Sequence, residues 1–255
     1  MQQEFNIQKQ ENNNQNNQDK NSDEIDKQIQ NYLQKIDMQA RESTYAGYWY
    51  TKNASELSIQ IQIWFEMAKC EIQNIKDIKA IISPHQGYAF SGPTAAWPFK
   101  YVKQYCQNKK NLKVFIFGSA HYCFLRSCSV SSLKKYKTPL GDIKLDTQII
   151  NELLENEIVN FEETDKDADE EEYSIEMQLP FLIKALGIDN FTLIPILETG
   201  NTICGKNSIG ILLRLFLKTR QTEIETKFIK YNMDKIINDR NDNCISFAAS
   251  VSFTE

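Results

Sequence analysis

Ile78-Lys-Ala-Ile-Ile-Ser-Pro-His85 and Val114-Phe-Ile-Phe-Gly-Ser-Ala-His121 are the two stretches on which the fold turns. Each is a short apolar run that reads as a buried strand, and each breaks at small or turn-forming residues next to a histidine. These are the chain's two histidines. Open α/β sheets gather their ligands just beyond the carboxyl ends of strands. Two imidazoles in that position suggest a metal site or an acid–base pair, and two packed histidines satisfied by their own loops remain the plainer alternative.

Around these strands the chain alternates helix and strand. Asn53 caps a helix whose apolar face is Leu57, Ile61, Trp64, Phe65 and Ala68, with Glu56 at the capping-box position. Gly92-Pro93 is expected to open a second helix, which Pro98 should kink or end early. Thr138-Pro-Leu-Gly-Asp142 is a turn, and Asp146 can cap a helix carrying Ile149, Ile150, Leu153 and Leu154. Ser174 to Leu182 reads as a helix bearing Glu176. Phe191–Leu197 is a third strand, placed at an edge or a bulge by Pro195. Ile209, Leu212, Leu213, Phe216 and Leu217 make one helix face, and Ile245–Phe253 alternates like a half-buried strand. The fold class expected is α/β.

Residues 1–40 differ in kind. Gln, Asn, Asp, Lys and Glu dominate, as in Glu11-Asn-Asn-Asn-Gln-Asn-Asn-Gln-Asp19, and such a segment cannot bury enough apolar area to offset its chain entropy. It is expected to be a disordered extension, with residues 41–255 as the α/β domain. The acidic run Glu162–Glu172 reads as a solvated loop, with a carboxylate metal site as the sharper alternative.

Composition narrows the function. With 41% apolar and 25% charged residues the chain is ordinary for a globular protein. A net charge of -5 without a basic stripe argues against nucleic-acid binding. Its apolar runs are too short to span a membrane, and the polar N-terminus has no secretory h-region. The six cysteines form no CxxC, so a zinc knuckle is not expected and reduced thiols in a cytoplasmic or nuclear protein are. There is no P-loop, GxGxxG or GxSxG.

Cys204, in Asn201-Thr-Ile-Cys204-Gly205, lies between a strand and a helix. The helix dipole favours thiolate there, a nucleophile and a soft metal ligand. His85, His121 and Cys204 converging at one sheet edge would suit iron or copper; Cys–His nucleophilic catalysis competes, and a small buried hydrophobe is the bland alternative.

The chain resembles the Memo family. The matching stretches are Tyr45-Ala-Gly-Tyr-Trp-Tyr50, Ile82-Ser-Pro-His85-Gln-Gly-Tyr88, Ser91-Gly-Pro93, Gly118-Ser-Ala-His121, Thr138-Pro-Leu-Gly-Asp142, Ser174-Ile-Glu-Met-Gln-Leu-Pro180 and Asn201-Thr-Ile-Cys204-Gly205, in family order. The resemblance implies the sandwich around a central sheet shared with class III extradiol dioxygenases. Those enzymes hold non-haem iron with two histidines and a glutamate, and in Memo a cysteine takes the glutamate position. By motif match His85, His121 and Cys204 are that metal triad, with iron or copper as cofactor. The resemblance also implies redox activity of a dioxygenase-like oxidoreductase and a role in signalling and cell motility. The partner would be a phosphotyrosine-bearing peptide or receptor tail; a non-catalytic phosphopeptide adaptor and an inactive family member are the rival readings.

Two departures stand out. The family's His of His-Ser-Ile-Glu is Tyr173 here. The family's Ser-Ser-Asp-Phe-x-His segment and the helices after it are missing, since Glu198-Thr-Gly200 runs straight into Asn201. The fold is therefore expected to be internally truncated between about residues 200 and 201. A gene-model or splice artefact, a degenerate paralogue and a minimal working form would each explain this. The first two are expected, because cores tolerate little deletion.

Overall fold

The computed structural model describes residues 28–30, 38–158, 160–199, 204–218, 224–234 and 244–255. The chain divides into two units, Met1–Ala40 and Arg41–Glu255. Most of the expected N-terminal extension, and the Gly200–Asn201 junction, lie outside the described residues. The second unit carries the helices and sheets that position the site.

Its first helix, α1 (Ala54–Met67), begins where Asn53 Oδ1 accepts the backbone N–H groups of Ser55 and Glu56. Leu57, Ile61 and Phe65, four residues apart, are its buried stripe. Strand β1 (Asp77–Ile82) leads through His85 into α2 (Tyr88–Cys106), and β2 (Leu112–Ser119) leads to His121. Then come β3 (Ser129–Ser131), the antiparallel pair β4 (Lys135–Tyr136) and β5 (Ile143–Lys144), and α3 (Thr147–Leu154), capped by Asp146 on the Ile149 N–H. Strand β6 (Glu162–Thr164), the short helices α4 (Lys166–Glu171) and α5 (Tyr173–Glu176), α6 (Leu179–Leu186) and β7 (Phe191–Glu198) complete the central part. Helix α7 (Lys206–Lys218), β8 (Ile224–Met233) and β9 (Ser246–Thr254) follow.

The described strands form two principal sheets. In one, order β2-β7-β3-β6, β2 and β7 run parallel from Leu112↔Phe191 to Ser119↔Glu198. In the other, order β1-β9-β8, β9 pairs antiparallel with both neighbours. The strands carrying the two histidines thus lie in different sheets, not on one sheet edge, because β1 takes the C-terminal strand β9 as its partner. The main core collects Leu57, Ile61, Phe65, Phe99, Phe181, Leu193 and Ile194. A smaller one joins Ile75, Tyr101, Val251 and Phe253.

Three local expectations are corrected. Gly92-Pro93 does not open a helix and Pro98 does not end one: α2 runs unbroken through both prolines. Ser91, Gly92, Thr94, Ala95, Ala96, Pro98 and Phe99 are all buried, so packing on several sides offsets backbone bonds whose loss costs about 3 kcal/mol each. Pro195 lies in an interior strand: the parallel register passes through Ile116↔Pro195. On its other side it falls between the Leu145–Leu193 bridge and the Val130↔Ile196 pair, where the neighbouring strand changes. The acidic run is not simply a solvated loop, since Asp169 and Glu172 are buried.

Asp169 accepts from the Ser131 and Tyr136 hydroxyls. Arg41, itself buried, pairs with Glu176 at 2.5 Å and donates to the carbonyls of Asp169 and Glu172. Glu176 also accepts from the Tyr50 hydroxyl and the Tyr45 N–H, so both carboxylate oxygens are satisfied.

Candidate metal centre

Three segments deliver the site. His85 follows β1 on a loop that Gln178 holds through a hydrogen bond to the Pro84 carbonyl. His121 follows β2, whose end is tied to β7 by the Ala120 N–H on the Glu198 carbonyl. Cys204 sits two residues before α7, where the Gly205 N–H donates to Ser119 Oγ at 2.9 Å. The three side chains meet: Cys204 Sγ lies 3.2 Å from His85 Nε2 and 3.4 Å from His121 Nε2. The three potential ligand atoms are all within 4.8 Å of one another.

His121 is oriented from behind. Glu172 accepts the His121 backbone N–H at 2.7 Å and faces its Nδ1 at 2.8 Å. With Nδ1 donating to the Glu172 carboxylate, Nε2 is the ring nitrogen turned toward Cys204. Glu172 also accepts the Ser174 N–H and so caps α5. Gly118 makes this approach possible: a Cβ there would meet Ser174 Oγ at 2.4 Å and Ile175 Cγ1 at 2.7 Å, so a larger residue would push α5, and Glu172 with it, off β2.

The electrostatics follow from the contacts. Hydrogen bonds to His121 and then His85 outweigh burial and bring the Cys204 thiol down to about 5. Burial opposes charge on His121, but its bonds to Cys204 and Glu172 prevail and lift it to about 9. Glu172 is held below the usual carboxylate range: burial acts against this, and the His121 and Ser174 hydrogen bonds win. Without a metal the site is therefore a thiolate beside an imidazolium over a wide span around neutrality.

Aromatic rings wall one side. Tyr173 stacks on His121 with ring centroids 4.3 Å apart, and Trp49 lies 4.5 Å from Tyr173, followed by Tyr45 at 5.1 Å from Trp49. The tyrosine that departs from the family's histidine thus covers the face of a candidate ligand. Burial first, then the negative charges of Glu172 and Cys204, push its phenol up to about 12, so it stays neutral.

All three residues singled out from the sequence come together. Sequence reasoning missed Glu172, Ser119 and Glu198. Glu172 was hidden at the end of an acidic run, and its one visible signal was its place as cap of the Ser-Ile-Glu turn. Ser119 and Glu198 face each other at the ends of two parallel strands, a pairing no local pattern reveals.

A family model described as "Memo-like protein" matches residues 41–199. Among curated relatives, Protein MEMO1 of Mus musculus is 38% identical over 180 residues, covering 69% of this chain and 57% of that protein. The Protein memo-1 homolog of Caenorhabditis elegans is 38% identical over 157 residues, 62% of this chain and 42% of that protein. Protein MEMO1 of Danio rerio is 34% identical over 183 residues, 71% and 58%. The chain spans about half the length of the curated relatives it matches. With seven motifs in order and a family match from residue 41 to residue 199, this chain belongs to the Memo family.

Proposed function

We propose that this chain is a metal-binding protein of the Memo family whose ligands are His85, His121 and Cys204, with iron or copper as the ion. The observation that carries the reading is the meeting of two imidazole nitrogens and one thiol sulfur within 4.8 Å. The donor set fits the group. Two imidazoles and a soft sulfur suit Fe(II) or Cu(I). A buried carboxylate behind one imidazole is the usual outer support of a metal-bound histidine. When bound, such an ion would supply one-electron redox chemistry, which makes an oxidoreductase the enzyme class to test. The chain's own residues hold the site: Glu172 orients His121, Gln178 steadies the His85 loop, and Tyr173 shields one imidazole face.

Metal analysis of purified protein tests this. The expected uptake is about one Fe(II) or Cu(I) per chain, most of it lost in each single alanine variant of the three residues. Equal uptake by wild type and a triple alanine variant would overturn it. A phosphotyrosine peptide or receptor tail as partner, and a place in cytoplasmic signalling and cell motility, belong to the same proposal. Pull-down with phosphorylated against unphosphorylated peptide tests that arm. No described helix is long and apolar enough to cross a membrane.

Glu172 favours a second reading for the metal-free protein. Cys204, His121 and Glu172 line up as nucleophile, base and orienting acid. Stoichiometric alkylation of Cys204 that bound metal does not slow would favour it over the first.

We also infer that residues 41–255 are a family domain lacking an internal block near 200–201, with residues 1–40 outside it. The family match stops at Thr199, and the helix after it exposes Leu213 and Leu217.

A further inference from the structure

Strand β8 (Ile224–Met233) is a long strand bonded on one side. Among the described residues it pairs with β9 alone, and its outer edge meets no other strand. The backbone N–H and C=O groups along that edge are an open template for a further strand. From Ile224 to Phe228 the strand keeps register against Thr254 to Ser250; Ile229 is then an extra residue, because Ala249 faces Lys230. Such a bulge bends the strand, so a straight added ladder is confined to Ile224–Phe228. At the end of that segment Phe228 is 75% exposed.

The charges on the segment decide what adds to it. Glu225 and Lys227 lie on one face, joined at 2.8 Å, and both are half-exposed. A second copy related by a two-fold axis perpendicular to the sheet pairs antiparallel and keeps each face on its own side, so every register is centred on one residue. Centring on Glu225 sets glutamate against glutamate, and centring on Lys227 sets lysine against lysine; like charges directly opposite are destabilising. Centring on Phe228 carries the ladder into the bulge. Centring on Thr226 instead sets Glu225 opposite Lys227 of the second copy, and Lys227 opposite its Glu225, a square of alternating charge. On the other face the same register lays Phe228 against Ile224 of the second copy, at both ends of the ladder. Both faces therefore favour one register.

We propose that Ile224–Phe228 of β8 is a homodimer interface, paired antiparallel with a second copy of this chain about Thr226. The pairing joins the two copies of the β1-β9-β8 sheet into one continuous sheet. Because the same edge is used on both copies, assembly closes at the dimer.

Sedimentation equilibrium of the full chain at low salt, over a range of concentrations, tests this. Wild type is expected to pass reversibly from monomer to dimer and no further. Glu225→Lys and Lys227→Glu should each weaken the dimer about 10-fold or more, since symmetry turns two opposed pairs into like pairs. The two changes combined should restore wild-type affinity, because the reversed square alternates again. On mild oxidation Thr226→Cys should form a disulfide between copies: directly opposite Cα atoms about 4.5–5.5 Å apart are within disulfide reach. Lys230→Cys, outside the ladder, should stay at the background set by the chain's own free cysteines. The cross-link decides the matter if circular dichroism shows that a charge variant has not folded. A monomeric wild type, assembly beyond a dimer, a dimer indifferent to the single reversals, a combined variant as weak as either one, or no cross-link from Thr226→Cys would overturn the proposal.

Discussion

His121 holds a carboxylate on one ring nitrogen and a sulfur on the other, and this sets how metal and proton compete. The imidazole stays protonated up to about 9, while the Cys204 thiol loses its proton near 5. A metal needs neutral imidazole and thiolate. Between these values binding must expel one proton from His121, so affinity should climb with pH by about tenfold per unit and level off above about 9. Below about 5 it should collapse, as the sulfur is protonated too. Glu172→Gln should begin its plateau at lower pH, because the partner that raises His121 is weakened. Compared at pH about 9 or above, where the proton no longer competes, that variant should bind about 10–100-fold more weakly from lost orientation. Affinity profiles by competition with a coloured chelator check both; superimposable curves would show that Glu172 does not act on the site. At this scale the sequence was informative where residue types were rare. Two histidines at strand ends and a cysteine ahead of a helix are visible as letters. Glu172 and Glu198 are common acids whose importance comes from burial, which letters do not carry.

Helix α2 was the element least legible in the sequence, and the reason is packing. Proline rules describe a helix in isolation, whereas this one is buried on several sides. Gly92 shows how tight the fit is: a Cβ there would lie 2.5 Å from the Trp64 ring, which itself stacks near Phe181. Gly92→Ala is therefore expected to destabilise the protein by about 1–3 kcal/mol, although alanine is the better helix former. Urea denaturation decides it; an unchanged or raised midpoint would mean that the Trp64 contact yields freely. Strand β7 teaches the same lesson, because Pro195 looked like an edge signal and lies inside a sheet where its lateral neighbour changes. By contrast, the N-caps Asn53 and Asp146 and the stripe Leu57, Ile61 and Phe65 were readable, since local hydrogen bonds and helical period alone fix them.

Across the molecule, apolar surface is unevenly covered. Leu213 and Leu217 of α7 are 54% and 80% exposed, and Phe228 and Tyr231 of β8 are 75% and 59% exposed. Such patches promote association. Leu213→Lys with Leu217→Lys should raise solubility and leave the melting temperature within about 1–2 °C, as surface changes away from packed features have small effects. Light scattering and a thermal scan check this; a clear drop in melting temperature would show that the leucines are buried in the working protein. The α/β class was legible from alternating periodicities, but the division into two sheets was not. Which strand pairs with which depends on β9, far along the chain from β1, and no local pattern encodes a pairing at that separation.

The central claim is that His85, His121 and Cys204 bind one ion together. X-ray absorption of the Fe(II)- or Cu(I)-loaded full chain tests it most directly. The expected inner shell holds one sulfur and two imidazole nitrogens, from the three residues that meet within 4.8 Å. Cys204→Ser should remove the sulfur while the imidazole signature persists. A wild-type shell of light atoms only, or a sulfur that survives Cys204→Ser, would contradict it.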